Sequence, residues 1–222
     1  MNASDVRANS SRMAESSLRL YQFPESGNSR IVRIVLVEKN LAFERVNINV
    51  LKGENRTPEF LKLNPRGKVP VLVHTSWYDE VVVYESTVIN EYLEDAFPKP
   101  PLTPATAAGR ARMRLFTHLY DIEVSPAAGP LIIETLLRPA AARRAEFVAQ
   151  QQAKTRQALA RMTEMMDSGP FLVGDYSLAD ASYTPVIATL GDCGIDLAAE
   201  FPKLAVWLEA VKHRPSFEAS AK

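Results

Sequence analysis

The chain has 222 residues, 46% of them hydrophobic, which is enough to bury a substantial core in one large domain or two small ones. Its 26 basic and 26 acidic residues cancel, so no large electrostatic field favours nucleic acid or an anionic membrane as a partner. No apolar run approaches the length of a transmembrane helix, and residues 1–17 lack the hydrophobic core of a signal peptide. A single cysteine, Cys193, excludes an intrachain disulfide, and we expect a reducing, cytoplasmic location.

The first part of the chain alternates strand and helix patterns. Residues 1–17 are polar and predict a disordered tail. Residues 18–23 alternate in polarity and predict a short strand, whereas residues 29–39 carry apolar side chains at helical spacing. Residues 43–48 predict a second strand, parallel to the first because a helical crossover joins them. A mixed loop and helix segment at residues 52–63 completes this part.

Two β-branched runs, at residues 71–74 and 81–84, predict a hairpin with a polar loop between its strands. Apolar side chains then recur at helical spacing, and Ser86 is the predicted N-cap of that helix. The resulting element order, βαβαββα, is that of a thioredoxin-like α/β domain. We assign this domain to residues 18–97.

The second half of the chain predicts an all-α domain at residues 105–222. It is separated from the first domain by residues 98–104, where closely spaced prolines block a helix and indicate a linker. Ser177 and Asp180 have the spacing of a capping box, which predicts a structural role for Asp180 at the start of a core helix. The predicted helices span residues 105–124, 140–166, 178–190 and 201–214.

The hairpin region offers two features that suit one kind of ligand. Pro70 opens a strand, where its missing N–H removes no ladder bond, and the backbone of Val69 is left free to pair with an extended peptide. One strand away, the helix N-terminus at Glu85 and Ser86 presents N–H groups and a hydroxyl that suit a carboxylate. We therefore expect a ligand with a peptide-like middle and a carboxylate end.

At these residues the sequence resembles the glutathione S-transferase superfamily. The resemblance rests on three motifs: Asn64-Pro65-x-Gly67-Lys68-Val69-Pro70-Val71-Leu72, Glu85-Ser86-x-x-Ile89-x-x-Tyr92-Leu93, and the capping box of Ser177 and Asp180. It implies a cis peptide bond between Val69 and Pro70, and binding of the γ-glutamyl end of glutathione at Glu85 and Ser86. It also implies glutathione as co-substrate, a helical-bundle second domain and a homodimer.

Glutathione chemistry requires a thiolate, whereas a free thiol with a pKa of about 8.5 is mostly protonated at neutral pH. A hydroxyl or amide at the head of the first helix can stabilise the anion together with the helix dipole. Ser26 and Asn28 are the leading candidates, and Ser29 is a third that fits a plain N-cap residue equally well. Tyrosine-type relatives carry their tyrosine where this sequence has Gln22, which leaves the serine-type mechanism.

The remaining candidates have simpler roles. Lys52 and Lys68 are candidates to pair with the glycine carboxylate of glutathione. Cys193 lies outside the first-helix turn that cysteine-type relatives use, and it is interpreted as a buried small residue. The histidines are not at ligand spacing, so we expect no metal. The resemblance places one face of the 105–124 helix in the cleft, and the candidates to line an apolar second-substrate pocket there are Met113, Phe116, Thr117 and Tyr120.

The sequence thus predicts a cytoplasmic glutathione S-transferase that conjugates the glutathione thiolate to an apolar electrophile. Two other activities stay open. One is glutathione-dependent β-aryl-ether cleavage or dehalogenation, because the 64–94 stretch also looks like that of bacterial β-etherases. The other is a non-catalytic binding or regulatory module on the same fold, as in the stringent starvation proteins.

Overall fold

The computed structural model describes residues 16–76 and 78–221. It contains four strands: β1 (Ser17–Gln22), β2 (Glu44–Asn47), β3 (Val71–Thr75) and β4 (Glu80–Tyr84). They form one sheet in the order β2-β1-β3-β4. Strand β1 runs parallel to β2 and antiparallel to β3, and β3 pairs antiparallel with β4 in the predicted hairpin.

Three helices accompany the sheet: α1 (Gly27–Glu38), α2 (Pro58–Leu63) and α3 (Ser86–Ala96). Short 3-10 turns at Val50–Lys52 and Glu54–Arg56 precede α2. This confirms the predicted thioredoxin-like element order. Of the predicted tail, residues 1–15 lie outside the described residues, and its end is corrected by one residue because Ser17 already pairs with Thr75 in the sheet.

The second half of the chain is helical, as predicted. Its helices are α4 (Ala107–Leu119), α5 (Ser125–Ile132), α6 (Ala145–Met165), α7 (Leu178–Ile187), α8 (Leu197–Glu200), α9 (Pro202–Lys212) and α10 (Pro215–Ala219). No helix among the described residues is long and apolar enough to span a bilayer. The linker at residues 98–104 and the domain limits drawn from it stay a prediction, and the segment between α3 and α4 contains it.

Two helical segments differ from the prediction. The predicted 105–124 helix continues to Leu137 through α5 and through π-helical segments at Tyr120–Val124 and Ile133–Leu137. The predicted 140–166 helix begins only at Ala145, because a separate 3-10 turn occupies Ala140–Ala142 and the backbone N–H of Arg144 donates to buried Glu134.

The core is continuous across both halves of the chain, and α1 lies at its centre. Helix α1 packs against the neighbouring α3, against α7 of the helical half and against α10. Leu20, Leu72 and Val83 form one row across the sheet, directed toward the same core. Because α1 packs against helices from both halves of the chain, both halves hold its N-terminal turn in position.

The capping box at the start of α7 is formed as predicted. Asp180 is fully buried, and its carboxylate accepts hydrogen bonds from the backbone N–H groups of Ser177 and Leu172, each at 2.9 Å. The indole Nε1 of Trp207 on α9 donates to the same carboxylate at 2.8 Å. Asp180 therefore joins α7 to α9 and to the preceding loop, in addition to capping its own helix.

Candidate functional site

The loop before β3 brings the backbone of Val69 next to the sheet without pairing it to any described strand. The peptide bond between Val69 and Pro70 is cis, and half-buried Val69 lies just outside the ladder that begins at Val71. Asn64 braces the loop by donating from its side-chain amide to the carbonyl of Lys68 at 2.7 Å. The edge at Val69 is therefore held in place from within the loop, and it remains available to an extended ligand.

Gly67 is needed for this loop to close. Its φ is +60°, in the left-handed region, and a Cβ built there would lie 2.9 Å from the backbone oxygen of Asn55. The side-chain amide of Asn55 in turn donates to the carbonyl of Gly67 at 2.7 Å. A larger residue would push this backbone contact apart, so the glycine of the first motif has a steric reason.

The N-terminus of α3 differs in one respect from the prediction. Ser86 is the first helical residue rather than the N-cap, and the N-cap is Glu85, with a φ of +70° and no side-chain capping bond. The sequence could not indicate this, because a positive φ at a non-glycine residue is uncommon and has no simple sequence signature. The first backbone N–H groups of α3 therefore have no side-chain acceptor, and the largely buried Ser86 hydroxyl lies beside them. This arrangement suits a carboxylate ligand.

Two carboxylates lie close to the same helix start. Glu85 pairs with Arg66 at 3.1 Å, and Asp121 accepts a hydrogen bond from the Thr87 hydroxyl at 3.1 Å. Partial burial and then the charge of Glu85 raise the pKa of Asp121, although its side chain still reaches solvent. The site thus offers donors for an anion beside carboxylates for a cation. Sequence reasoning missed Asp121, which lies 34 residues beyond Thr87 in a π-helical segment.

At the head of α1, the structure places Ser26 as the N-cap. The Ser26 hydroxyl accepts from the backbone N–H of Ser29 at 3.2 Å, which leaves its own proton free to donate. Asn28 is exposed in the first turn. Ser29 is fully buried and is not the N-cap that we expected, because Ser26 holds that position. Its hydroxyl accepts from the backbone N–H of Phe23 at 3.4 Å.

The residues at the end of β1 and in the helical half are structural. Gln22, at the position where tyrosine-type relatives have their tyrosine, is buried, and its side-chain oxygen accepts from Arg33 at 2.6 Å. Cys193 is buried as predicted, and desolvation raises the pKa of its thiol to about 11. A thiol with that pKa is protonated at neutral pH and is a poor nucleophile. Within residues 16–76 and 78–221, no group of three or more His, Cys, Asp or Glu side chains is placed to hold a metal ion.

The candidate pocket residues on α4 and just after it divide by burial. Met113, Phe116 and Tyr120 are fully buried in the core, and the Tyr183 hydroxyl donates to the carbonyl of Phe116 at 2.9 Å. Burial of these three side chains corrects the expectation that they line an open pocket, because none of them reaches solvent. Thr117 is half-exposed and is the member of the set that a second substrate can reach.

The two lysine candidates are exposed. Lys52 ends the first 3-10 turn, and Lys68 lies in the loop before the cis peptide bond. Arg56 lies between them in sequence and donates to the carbonyl of Arg66 at 3.4 Å. Basic side chains are therefore found on the loops that precede β3, and one of them, Arg66, reaches Glu85 at the start of α3.

Comparison with known proteins agrees with this geometry. Residues 16–95 match the glutathione S-transferase N-terminal domain, and residues 124–215 match the C-terminal domain of the same family. Over 210 residues the chain is 30% identical to glutathione S-transferase 3 of Zea mays, which covers 90% of this chain and 91% of the maize protein. The chain belongs to the glutathione S-transferase superfamily. It is a glutathione transferase, and the predicted family and two-part fold are confirmed.

Two further relatives bear on which reaction this transferase performs. Protein LigF of Sphingobium sp. strain SYK-6 is 46% identical over 107 residues, which cover 47% of this chain and 40% of LigF. The solved structure of β-etherase LigF matches with a TM-score of 0.76 at 29% identity, covering 92% of this chain and 98% of that one. A stringent starvation protein A homolog of Coxiella burnetii is 29% identical, covering 94% of this chain and 93% of the homolog.

Proposed function

We propose that the transferase binds glutathione across the Val69 edge and the N-terminus of α3, and conjugates its thiolate to an apolar electrophile. The observation that carries this proposal is the start of α3, where Glu85 holds a left-handed backbone and offers no side-chain cap. A non-glycine residue in that conformation costs about 1–3 kcal/mol and is typical of ligand sites. Ser86 and the free N–H groups then bind the γ-glutamyl carboxylate, while Val69 and Pro70 meet the peptide middle.

The acidic residues beside this start complete the recognition of the γ-glutamyl end. That end of glutathione carries an ammonium next to its carboxylate, so it needs donors and acceptors side by side. Asp121 and Glu85 supply the acceptors on the Thr87 side of the helix. Lys52 and Lys68, exposed on the loops that precede β3, pair with the glycine carboxylate of the tripeptide.

The thiolate is stabilised at the head of α1. Ser26 already accepts the N–H of Ser29, so its hydroxyl proton is free to donate to sulfur, and the helix dipole favours the negative charge. Asn28 is the alternative donor, exposed in the first helical turn. Thr117 borders the space for the second substrate.

Thiolate absorbance measured against pH, with glutathione bound, tests the catalytic assignment. Replacing Ser26 or Asn28 by Ala removes one donor, and we expect the variant of the true catalyst to raise the pKa of bound glutathione and to lower kcat more than it weakens binding. Asp95→Ala, an exposed change at the far end of α3, serves as the control. If neither Ser26→Ala nor Asn28→Ala shifts the titration, the thiolate is stabilised elsewhere.

Glutathione-dependent cleavage of β-aryl ethers is the second candidate activity. The local 46% identity to LigF over 107 residues favours it as the specific reaction of this fold. In that reaction the same thiolate attacks the carbon that bears the aryloxy group, and a phenolate leaves. Separate assays with a model β-aryl ether and with a simple aryl halide distinguish ether cleavage from conjugation, because only ether cleavage releases a phenol.

We also propose a homodimer and a cytoplasmic location. Large apolar side chains are exposed on β4, α3, α4 and the π-helical segment after α4, and a partner surface would remove them from water. They are Val82, Tyr84, Val88, Leu115 and Ile122. The lone buried cysteine suits a reducing compartment. Light scattering on the purified protein measures the oligomeric state directly.

A purely regulatory role, as a scaffold without chemistry, is the remaining alternative. The similarity to a stringent starvation protein A homolog supports it, whereas the strained and uncapped start of α3 argues for a retained ligand site. Calorimetric titration with glutathione decides between them. The absence of heat at millimolar glutathione would favour the scaffold.

A further inference from the structure

Arg33 is a fully buried arginine in the middle of α1 whose three hydrogen bonds all go to neutral acceptors. Its Nη1 donates to the Gln22 side chain at 2.6 Å, its Nη2 to the carbonyl of Pro24 at 3.0 Å, and its Nε to the carbonyl of Ser220 at 2.8 Å. Among the described residues no carboxylate hydrogen-bonds to the guanidinium, and Glu25 acts on it only through its charge. Burying a guanidinium without a paired carboxylate is costly, and an apolar side chain would fill the space more cheaply. The residue therefore has a use that depends on its fork of donors.

One of the three acceptors belongs to the turn that leads into Ser26. That turn is closed by the N–H of Ser26, which donates to the carbonyl of Phe23 at 3.0 Å, so Pro24 and Glu25 are its two central residues. The two common turn types differ in the orientation of the peptide that joins these residues. Proline suits the first position of both, whereas the type with a positive φ at the second position is disfavoured by Glu25, whose φ is not positive. By holding the Pro24 carbonyl, Arg33 adds to this preference and holds the peptide in the observed orientation.

Another acceptor belongs to the end of α10. Arg30, one helical turn before Arg33, donates to the carbonyl of Phe217 at 3.0 Å. At the other end of α1, Glu38 accepts from the Nε of Arg214 at 3.0 Å. Helix α10 is thus fastened along α1, and its last carbonyls, which lack helical partners, receive donors from the arginines. Arg33 is the residue that reaches both α10 and the Pro24 turn.

We propose that Arg33 is a positioning residue for the thiolate chemistry, which holds the Ser26 turn in place against α10. The proposal rests on the proposed role of the α1 head in stabilising the thiolate. The guanidinium stays protonated at neutral pH, because desolvation, together with the charges of Arg45 and Arg30, lowers its pKa only to about 10. Through Arg33, helix α10 near the end of the chain thereby supports the Ser26 turn near its beginning.

Arg33→Lys tests the proposal, because lysine keeps the positive charge but cannot span three acceptors in a fixed fork. With the Pro24 peptide released, the Ser26 hydroxyl shifts, and a misplacement of about 1 Å costs up to about 100-fold in rate. We expect kcat to fall at least about tenfold, the pKa of bound glutathione to rise, and the Kd for glutathione to change little. Arg30→Lys is the matched control. It loosens the same α10 contact without touching the turn, so it should lower the melting temperature and leave the thiolate titration unchanged.

Gln22→Met provides a second variant that keeps the shape of the site. It removes the acceptor that orients Nη1 and leaves the Pro24 and Ser220 bonds, so the same shifts are expected at smaller size. Because Gln22 also donates to the Asn47 side chain at 3.0 Å, Asn47→Ala is its control. If Arg33→Lys does not fold, Gln22→Met decides.

The outcomes separate this proposal from the proposed function. A wild-type protein that binds no glutathione, or leaves its thiol protonated at neutral pH, overturns the proposed function. A wild-type thiolate whose titration and kcat are unchanged in the folded variants overturns the positioning role alone. In that case Arg33 only stabilises the fold, and the melting temperature is the one property that changes.

Discussion

Helices α3 and α7 both begin with backbone N–H groups that need acceptors, but the two helix starts serve different purposes. At α7, the capping box of Ser177 and Asp180 is formed and the backbone N–H of Leu178 donates to the carbonyl of Leu102 at 2.9 Å, so donors of that helix start are satisfied within the protein. The buried Asp180 carboxylate also accepts from Leu172 and Trp207. At α3, Glu85 provides no side-chain cap, and the first N–H groups remain open beside Ser86. A helix start whose partners are internal stabilises the fold, whereas one left open is available for an anionic ligand.

The largest effect that would test this contrast is the loss of Asp180. In Asp180→Ala the N–H of Leu172, the N–H of Ser177 and the indole of Trp207 lose their acceptor, and each buried donor left unpaired costs about 1–3 kcal/mol. We expect a loss of about 3 kcal/mol or more, with a fall in melting temperature of about 2–4 °C per kcal/mol. Thermal denaturation measures the change, and Asp175→Ala, at a nearby exposed carboxylate, is the control.

Activity per folded molecule should survive in Asp180→Ala, because within residues 16–76 and 78–221 the hydrogen-bond partners of its carboxylate all belong to the helical half of the chain. The Michaelis constant for glutathione should stay near the wild-type value. A raised Michaelis constant at an unchanged melting temperature would instead place Asp180 in the ligand site, and the two helix starts would then share one role.

The open start of α3 should show the reverse pattern. Ser86→Ala removes a hydroxyl that we place on the γ-glutamyl carboxylate, and a hydrogen bond to a charged group contributes about 1.5–3 kcal/mol. The Kd for glutathione should rise about 10- to 150-fold, with little change in melting temperature. Calorimetric titration measures the Kd, and Asp95→Ala on the same helix is the control. An unchanged Kd would remove the carboxylate from this helix start.

The smallest effect sharpens the contrast by pH. If Asp121 pairs with the ammonium of glutathione, binding is favoured by the ionised carboxylate, so affinity is full above the raised pKa of Asp121 and declines as the pH falls through it. In Asp121→Asn that decline should disappear. At neutral pH the Kd should rise only up to about fivefold, because a solvent-exposed ion pair contributes about 0.2–1 kcal/mol. Titrations of both proteins across the acidic range give the ratio, and a ratio independent of pH would exclude the pairing.

Much of the fold was predictable because its signals are local. The β-branched runs of the hairpin, the apolar helical spacing of α1 and the Ser177–Asp180 spacing each lie within a few residues of the structure that they predict. The position of the proposed ligand site, which stays a prediction, has a related origin. Pro70 and Ser86 mark a strand opening and a helix start, and two such neighbouring elements bring their features together.

The parts that sequence reasoning missed depend on distant contacts or on rare backbone geometry. Asp121 lies in a π-helical segment and accepts from Thr87 across 34 residues of chain, and the π-helix has no sequence pattern that would predict it. Met113 and Phe116 share an apolar face, but periodicity does not tell a face that lines a cleft from one that packs on α7. The shift of Ser86 from N-cap to first helical residue follows from the backbone of Glu85 alone.

Lys39, at the end of α1, decides how far the two halves of this chain are separable parts. Its buried ammonium pairs with Glu94 at 2.5 Å and donates to the carbonyls of Phe97 at 2.8 Å and Pro100 at 3.0 Å. These contacts hold the start of the proline-rich segment against the end of α1. A cut before Pro100 would leave Lys39 paired with Glu94 and Phe97 but remove one of its three acceptors, and it would expose the face of α1 that packs on α7. The proline-rich segment thus separates two architectures, but the stability of each half depends on the other through α1. A chimaera of two relatives should therefore keep α1 and the helices that pack on it from the same parent.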